Sequence, residues 1–290
     1  MEIAASGASA ASVHAAIDRA FAAVATVHRL MSFHEDASDV SRLNHAAVEA
    51  VRVHPWTYEV LQAALDLHAR SGGAFDVTVA PALQALGLLP QVPGECPGPT
   101  RSTGAAPPLL LGDCRVRLGT ADVRIDLGGI AKGFAVDRAV ETLIAAGMTG
   151  GLVNAGGDLR SFGIDDHQVS LRDPRDPRRV LGTVSVTDAA LASSGGRFDP
   201  CLGFRPHRSA VLDPRRPEVA PAILGVTVRA PSCLLADGLT KVVMLTGERA
   251  LTVLDEYAAS ALFVSSDGTV TLTSDWAGAL QPGAGAARTS

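Results

Sequence analysis

An α+β fold is predicted for this chain from three observations. Helical and strand-like runs mix without the strict β-α-β rhythm of a parallel sheet. Two well-marked helices come early, and most strand-like runs follow residue 115. Near the end, Asp267-Gly268 sits between two such runs, as in an antiparallel hairpin.

Each element can be justified in order. MEIAA reads as the tail of a first strand, with residues expected upstream of it. Ile17, Phe21, Val24, Val27 and Leu30 mark an amphipathic helix. The stretch MSFHEDASDVSRLN after it is polar and turn-like. Pro55 opens a second helix through Val60, Leu61, Ala64, Leu65 and Leu67, which Gly72-Gly73 stops. Proline and glycine then crowd residues 89–108, which read as a surface excursion.

Strand-like runs follow at 116–118, 123–127, 151–154, 168–172, 180–186, 189–192, 209–212 and 224–228. Between the second and third of these, Ile130, Phe134, Ala135, Val140, Leu143 and Ile144 recur at helical spacing until Gly147. Helices over 235–245 and 248–257 and the Asp267-Gly268 hairpin close the pattern. Residues 1–280 are expected to form one domain without internal repeats, and 281–290 a disordered tail.

Composition excludes several function classes. The 290 residues are 47% apolar and 19% charged, as in an ordinary globular chain. A net charge of −5 without a long basic run argues against nucleic acid as a partner. Aromatics at 4% also argue against base-stacking platforms. The N-terminus lacks the basic and continuous apolar regions of a signal peptide, and no window elsewhere is long and apolar enough to span a bilayer. Cys96, Cys114, Cys201 and Cys233 are widely spaced, giving neither a zinc signature nor a disulfide framework, so a cytoplasmic location is expected.

The stretch IDLGGIAKGFAVD, residues 125–137, carries the chemistry. It reads as a strand, a glycine turn and a helix with Lys132 in its first turn. A helix N-terminus offers unpaired N–H groups and a partial positive charge, which suit a phosphate. The alternative is a tight strand-to-helix packing turn. Asp137 and Arg138, one turn further on, read as a solvated or structural pair.

MSFHEDASDVSRLN, GGAFDVTVAP, IDLGGIAKGFAVDRA, GLVNAGGDLR, ASSGGR, VLDPRR and ADGLTKVV occur in this order between Met31 and Leu245. In content and order these blocks closely resemble the FAD:protein FMN transferases, the ApbE-like flavin transferases. The resemblance implies a protein that binds FAD with Mg²⁺ and cleaves its pyrophosphate. FMN would pass to a threonine hydroxyl of an acceptor flavoprotein, and AMP would leave.

It also implies roles for particular residues. The Ala131 carbonyl and the Asp237 carboxylate would hold the metal, with Thr240 near them. Met31, Ser32 and Phe33 would lie along the dinucleotide and Asp76 at the flavin. Gly128, Gly129 and Lys132, with Asn154, Gly156, Gly157 and Asp158, would bring the chain close to the ligand. Two bland readings stand beside these: Met31 as a core residue and Asp76 as a turn or cap. His28, His34 and His45 have no spacing that makes them metal ligands.

The chain departs from the family pattern twice. A threonine usually stands four residues after the aspartate of the last block; here that position is Lys241. Residues four apart share a helix face, so Lys241 would pair with Asp237, reach the pyrophosphate, or replace the ion. A histidine usually stands three residues before the DP pair; here that position is Ala210, with His207 three residues earlier and facing the other way on a strand. Two readings follow. One is a working transferase, with Asp237, Lys241 and His207 in catalytic roles. The other is a flavin-binding homologue that carries FAD without transferring FMN.

Overall fold

A computed structural model of the chain describes residues 1–46, 48–90, 108–120, 122–195, 211–213, 221–277 and 279–282. The architecture is α+β, with one seven-stranded and two three-stranded antiparallel sheets among the described residues. The chain starts with β1 (Glu2–Ser6), α1 (Ala10–Met31), α2 (Asp39–His45), β2 (Val51–Arg52), α3 (Pro55–Arg70) and α4 (Ala80–Ala85). Then come β3 (Leu109–Leu111), β4 (Arg115–Arg117), α5 (Ala131–Ala145), β5 (Gly150–Ala155), β6 (Asp158–Phe162), β7 (His167–Asp173), β8 (Asp176–Val186) and β9 (Ala190–Gly195). The last part holds β10 (Ile223–Ala230), α6 (Cys233–Thr246), α7 (Leu251–Glu256), β11 (Ser260–Ser265), β12 (Val270–Leu272), α8 (Ser274–Ala277) and β13 (Leu280–Pro282).

The large sheet runs β1-β5-β6-β9-β10-β11-β12. Because β6 pairs directly with β9, the β7–β8 hairpin leaves this sheet and joins β13 in a second one. α5 and α6 pack on one face of the large sheet, and α1 lies against α5. Central strands are therefore covered on both sides, and their side chains alternate between two cores. On β11, Ala261 and Phe263 join the helical core, whereas Leu262 and Val264 join the layer formed with Leu171, Val184 and Trp276.

α1 begins with a capping box between Ser9 and Ser12 and buries Ala16, Ala20, Val27 and Met31. By length and composition alone it could cross a bilayer. It packs against the core, and His14, Asp18, Arg19, His28 and Arg29 lie on its exposed side.

Several expectations are corrected. The polar stretch after α1 is not all turn, because it contains α2. The Ser38 hydroxyl caps that helix, and the buried Asp39 carboxylate accepts from Arg42, the His54 N–H and the Thr57 hydroxyl. Residues 123–127 join no sheet. The 248–257 helix is a 3₁₀ turn (Gly247–Ala250) followed by the shorter α7. The strand expected at 209–212 is not formed at Val211 and Leu212, and its first two residues lie outside the described ones. Most of the proline-rich excursion and of the C-terminal tail also lies outside them.

Candidate active site

The site is assembled around two segments that belong to no sheet, the bends and turns of 74–79 and the run 123–127. Asn44, buried on α2, donates to the Ile125 carbonyl at 2.9 Å and accepts from the Ile125 N–H at 2.8 Å. The Asp126 N–H donates to the Val77 carbonyl at 2.8 Å. A side chain and a single crossing bond thus do the work of a strand partner for the run 123–127. The consequence is that the segments carrying Asp76 and Asp126 run side by side into one cleft.

Asp76 accepts from both the N–H and the hydroxyl of Thr78 at 2.7 Å. It therefore makes the local turn foreseen as its alternative role, and it also lines the cleft. Asp126 accepts from the Gly128 N–H at 3.1 Å. Burial pushes its carboxyl above the usual range, with that N–H and the nearby His34 opposing the shift.

The three glycines of the motif have different duties. Gly128 and Gly129 line the cleft, and a Cβ at Gly129 would approach nothing closer than Lys241 Cε at 3.5 Å. A Cβ at Gly133 would lie 2.1 Å from the Cys233 carbonyl oxygen and 2.8 Å from Asp237 Cβ. Gly133 is thus where α5 and α6 touch. The packing reading holds for it, and cleft lining for the other two.

At this crossing lie four charged groups. Lys132 forms an ion pair with Asp158, which is 1% exposed at the start of β6. Lys241 forms one with the fully buried Asp237 and also donates to the Asp237 main-chain oxygen at 3.1 Å. Burial works against the charge on Lys132, but Asp237 and Asp158 outweigh it and hold the ammonium above the ordinary lysine range. Burial and the like charge of Asp237 push Asp158 upward, while Lys132 and Lys241 hold it down.

The residues assigned to a metal do not fit one as they stand. The second carboxylate oxygen of Asp237 accepts from the Gly133 N–H at 3.0 Å, and the first is taken by the ammonium. The Thr240 hydroxyl donates to the Asp237 carbonyl at 2.7 Å and shares a bond with Ser194 at 2.8 Å, so it faces β9. Ala131 is the first residue of α5 and is packed against the core. Among the described residues no three His, Cys, Asp or Glu side chains gather as a metal site.

Asn154, Gly156 and Gly157 line the cleft from the β5–β6 hairpin. Both glycines have positive φ, +71° and +108°, and the Asn154 side chain accepts from the Gly157 N–H at 2.9 Å. A two-residue hairpin loop with both central residues at positive φ demands glycine on backbone grounds alone. The cleft encloses about 1100 Å³. Its polar side carries the residues above with Ser193 and Ser194, and an apolar side is formed by Val169, Leu171, Leu181, Leu191 and Val226.

Met31, Ser32 and Phe33 do not line this cleft. Met31 is buried in the helical core, as its bland reading had it, and Phe33 packs against that core. Ser32 caps α1 and accepts from the His34 N–H at 3.1 Å. His207 and Ala210 lie outside the described residues. Asp137 is structural but not solvated: it accepts from Arg160 and from the N–H groups of Cys233 and Leu234 that open α6. Arg138 is not its partner and stacks instead on Phe134 and Trp56.

Two residues that shape the cleft went unassigned in the sequence. Asp126 stood inside the quoted motif, where a carboxylate beside a glycine turn was a signal that could have been weighed. Asn44 gave none, being 81 residues from the backbone it holds.

The sequence matches the model of the ApbE family over residues 1–263. It is 30% identical over 219 residues to the FAD:protein FMN transferase of Rhodobacter capsulatus, covering 70% of this chain and 41% of that protein. It is 29% identical over 236 residues to the enzyme of the same name from Vibrio cholerae, covering 77% and 70%. The fold is similar to the crystal structure of an ApbE protein from Thermotoga maritima, with a TM-score of 0.81, 25% identity, and coverage of 95% and 93%.

Proposed function

Since the chain belongs to the ApbE family, we propose that it is an FAD:protein FMN transferase. It cleaves the pyrophosphate of FAD and passes FMN to a threonine hydroxyl of an acceptor flavoprotein. The observation that carries this reading is the cleft itself. Its volume of about 1100 Å³ suits a dinucleotide rather than a single ring system. It is lined both by a glycine turn with Lys132 and Lys241 and by apolar side chains such as Leu171, Leu181 and Leu191.

Displacement at phosphorus requires positioning and charge neutralisation more than covalent help from the protein. The new bond joins the threonine oxygen to the FMN phosphorus, and the bond to the AMP phosphate breaks, AMP leaving with the electron pair and the threonine's hydroxyl proton passing by way of water to that phosphate. Gly128 and Gly129 let the diphosphate approach the start of α5. Lys132 and Lys241 then face its oxygens as fixed cations. The apolar side receives a ring system, and Asp76 orients its polar edge. Mg²⁺, which the family resemblance implies, does not fit the described oxygens, and no step here depends on it. A cytoplasmic location is part of the same proposal, supported by the unbridged Cys114 and Cys233.

Gly129→Val tests the placement. Its φ lies outside the left-handed region and a Cβ there makes only ordinary contacts with the side chains of Lys241 and Phe75, so the variant should fold. An isopropyl group projecting into the cleft should weaken FAD binding by at least about tenfold, roughly 1.4 kcal/mol. Flavin fluorescence quenching on a variant shown folded by circular dichroism measures this. Unchanged affinity would move the ligand away from the glycine turn.

A further inference from the structure

We propose that Lys241 is a built-in replacement for a divalent cation, so that this protein binds FAD without a metal. The inference rests on the reading of the cleft as an FAD site. It starts from what surrounds the Asp237 carboxylate. The Lys241 ammonium lies against one carboxylate oxygen and within 3.1 Å of the Asp237 carbonyl, taking two oxygens of one residue. The other carboxylate oxygen is occupied by a backbone N–H from the helix crossing. The Thr240 hydroxyl, three residues further along this helix, is engaged with Ser194 and the same carbonyl.

The charge balance points the same way. Two ammonium groups, Lys132 and Lys241, meet two buried carboxylates, Asp158 and Asp237, and each lysine acts on both acids. The group is neutral as it stands. A divalent ion would bring two uncompensated charges into it, or displace a lysine whose side chain is only 17% exposed. Lys241 lines the cleft beside Gly129, so its head lies where a phosphate crossing the glycine turn would meet it. Burial at 17% exposure keeps that charge poorly screened.

The test separates the lysine from the nucleotide. Purified full-length wild type, Lys241→Thr and Lys241→Gln are titrated with Mn²⁺ alone and followed by electron paramagnetic resonance. The glutamine variant keeps side-chain length without charge, should the threonine variant fail to fold. Wild type should bind Mn²⁺ at least about tenfold more weakly than the uncharged variant. Equal or tighter Mn²⁺ binding by wild type would overturn the proposal. FAD quenching is then measured in EDTA and in Mg²⁺. Wild type should bind equally in both, and the variants should weaken in EDTA and recover with Mg²⁺. Wild-type FAD binding that appears only with Mg²⁺ would also overturn it. Absence of FAD binding in either buffer would defeat the FAD reading, while the Mn²⁺ titration would still decide the role of Lys241.

Discussion

Gly133→Ala is expected to destabilise the protein by about 2–3 kcal/mol or more, although alanine is the better helix former by about 1 kcal/mol. The sign is decided by what the added methyl meets. It would lie 2.1 Å from the Cys233 carbonyl oxygen and 2.6 Å from the carbonyl carbon. Both are backbone atoms at the first turn of α6, so no flexible side-chain end can give way. The helices must separate, and the contact of Gly133 N–H with Asp237 loosens with them. Gly129→Ala is the control, because its Cβ has only ordinary contacts at 3.5 Å and beyond. Thermal unfolding of both variants checks the claim. A Gly133→Ala protein that melts with wild type would mean that α5 and α6 do not cross here.

Asp137→Ala should cost about 3 kcal/mol. The carboxylate is 4% exposed and satisfies two N–H groups at the start of α6, at 2.9 and 2.8 Å. Each donor left unpaired in the interior costs about 1–3 kcal/mol, and a favourable charge at a helix N-terminus is lost as well. Arg160 recovers part of this, since it is 23% exposed and can turn to water. Asp137→Asn keeps an acceptor and should lose about half as much. Urea denaturation of the two variants gives the ordering, and an alanine variant as stable as the asparagine one would contradict it.

Elements with strong periodicity were legible in the sequence. α1, α3, α5 and α6 appear where apolar spacing and glycine stops put them, because each buries one stripe against the same core. The strand-like runs at 151–154, 168–172, 180–186 and 224–228 fall within β5, β7, β8 and β10. β6 was missed, since DLRSF opens on a carboxylate that looks exposed and is in fact buried against Lys132. The 123–127 run had a strand's composition but is held by Asn44, and no local pattern reports a partner that distant.

The candidate site divides along the same line. The pairing of Asp237 with Lys241 followed from helical spacing of four. Gly128, Gly129 and Lys132 were grouped because they are close in sequence. Met31 to Phe33 were placed on the ligand by block resemblance, yet the end of α1 turns Met31 into the core. Asp126 lies inside the motif, but no local pattern reports the bond from its N–H to the Val77 carbonyl that sets it beside Asp76.

FMN transfer is tested most directly by incubating the protein with FAD and a flavoprotein carrying an acceptor threonine, then measuring AMP by chromatography and covalent flavin by in-gel fluorescence. One AMP released for each flavin attached to the threonine is the expected result. FAD recovered intact, with no flavin on the acceptor in either EDTA or Mg²⁺, would contradict it.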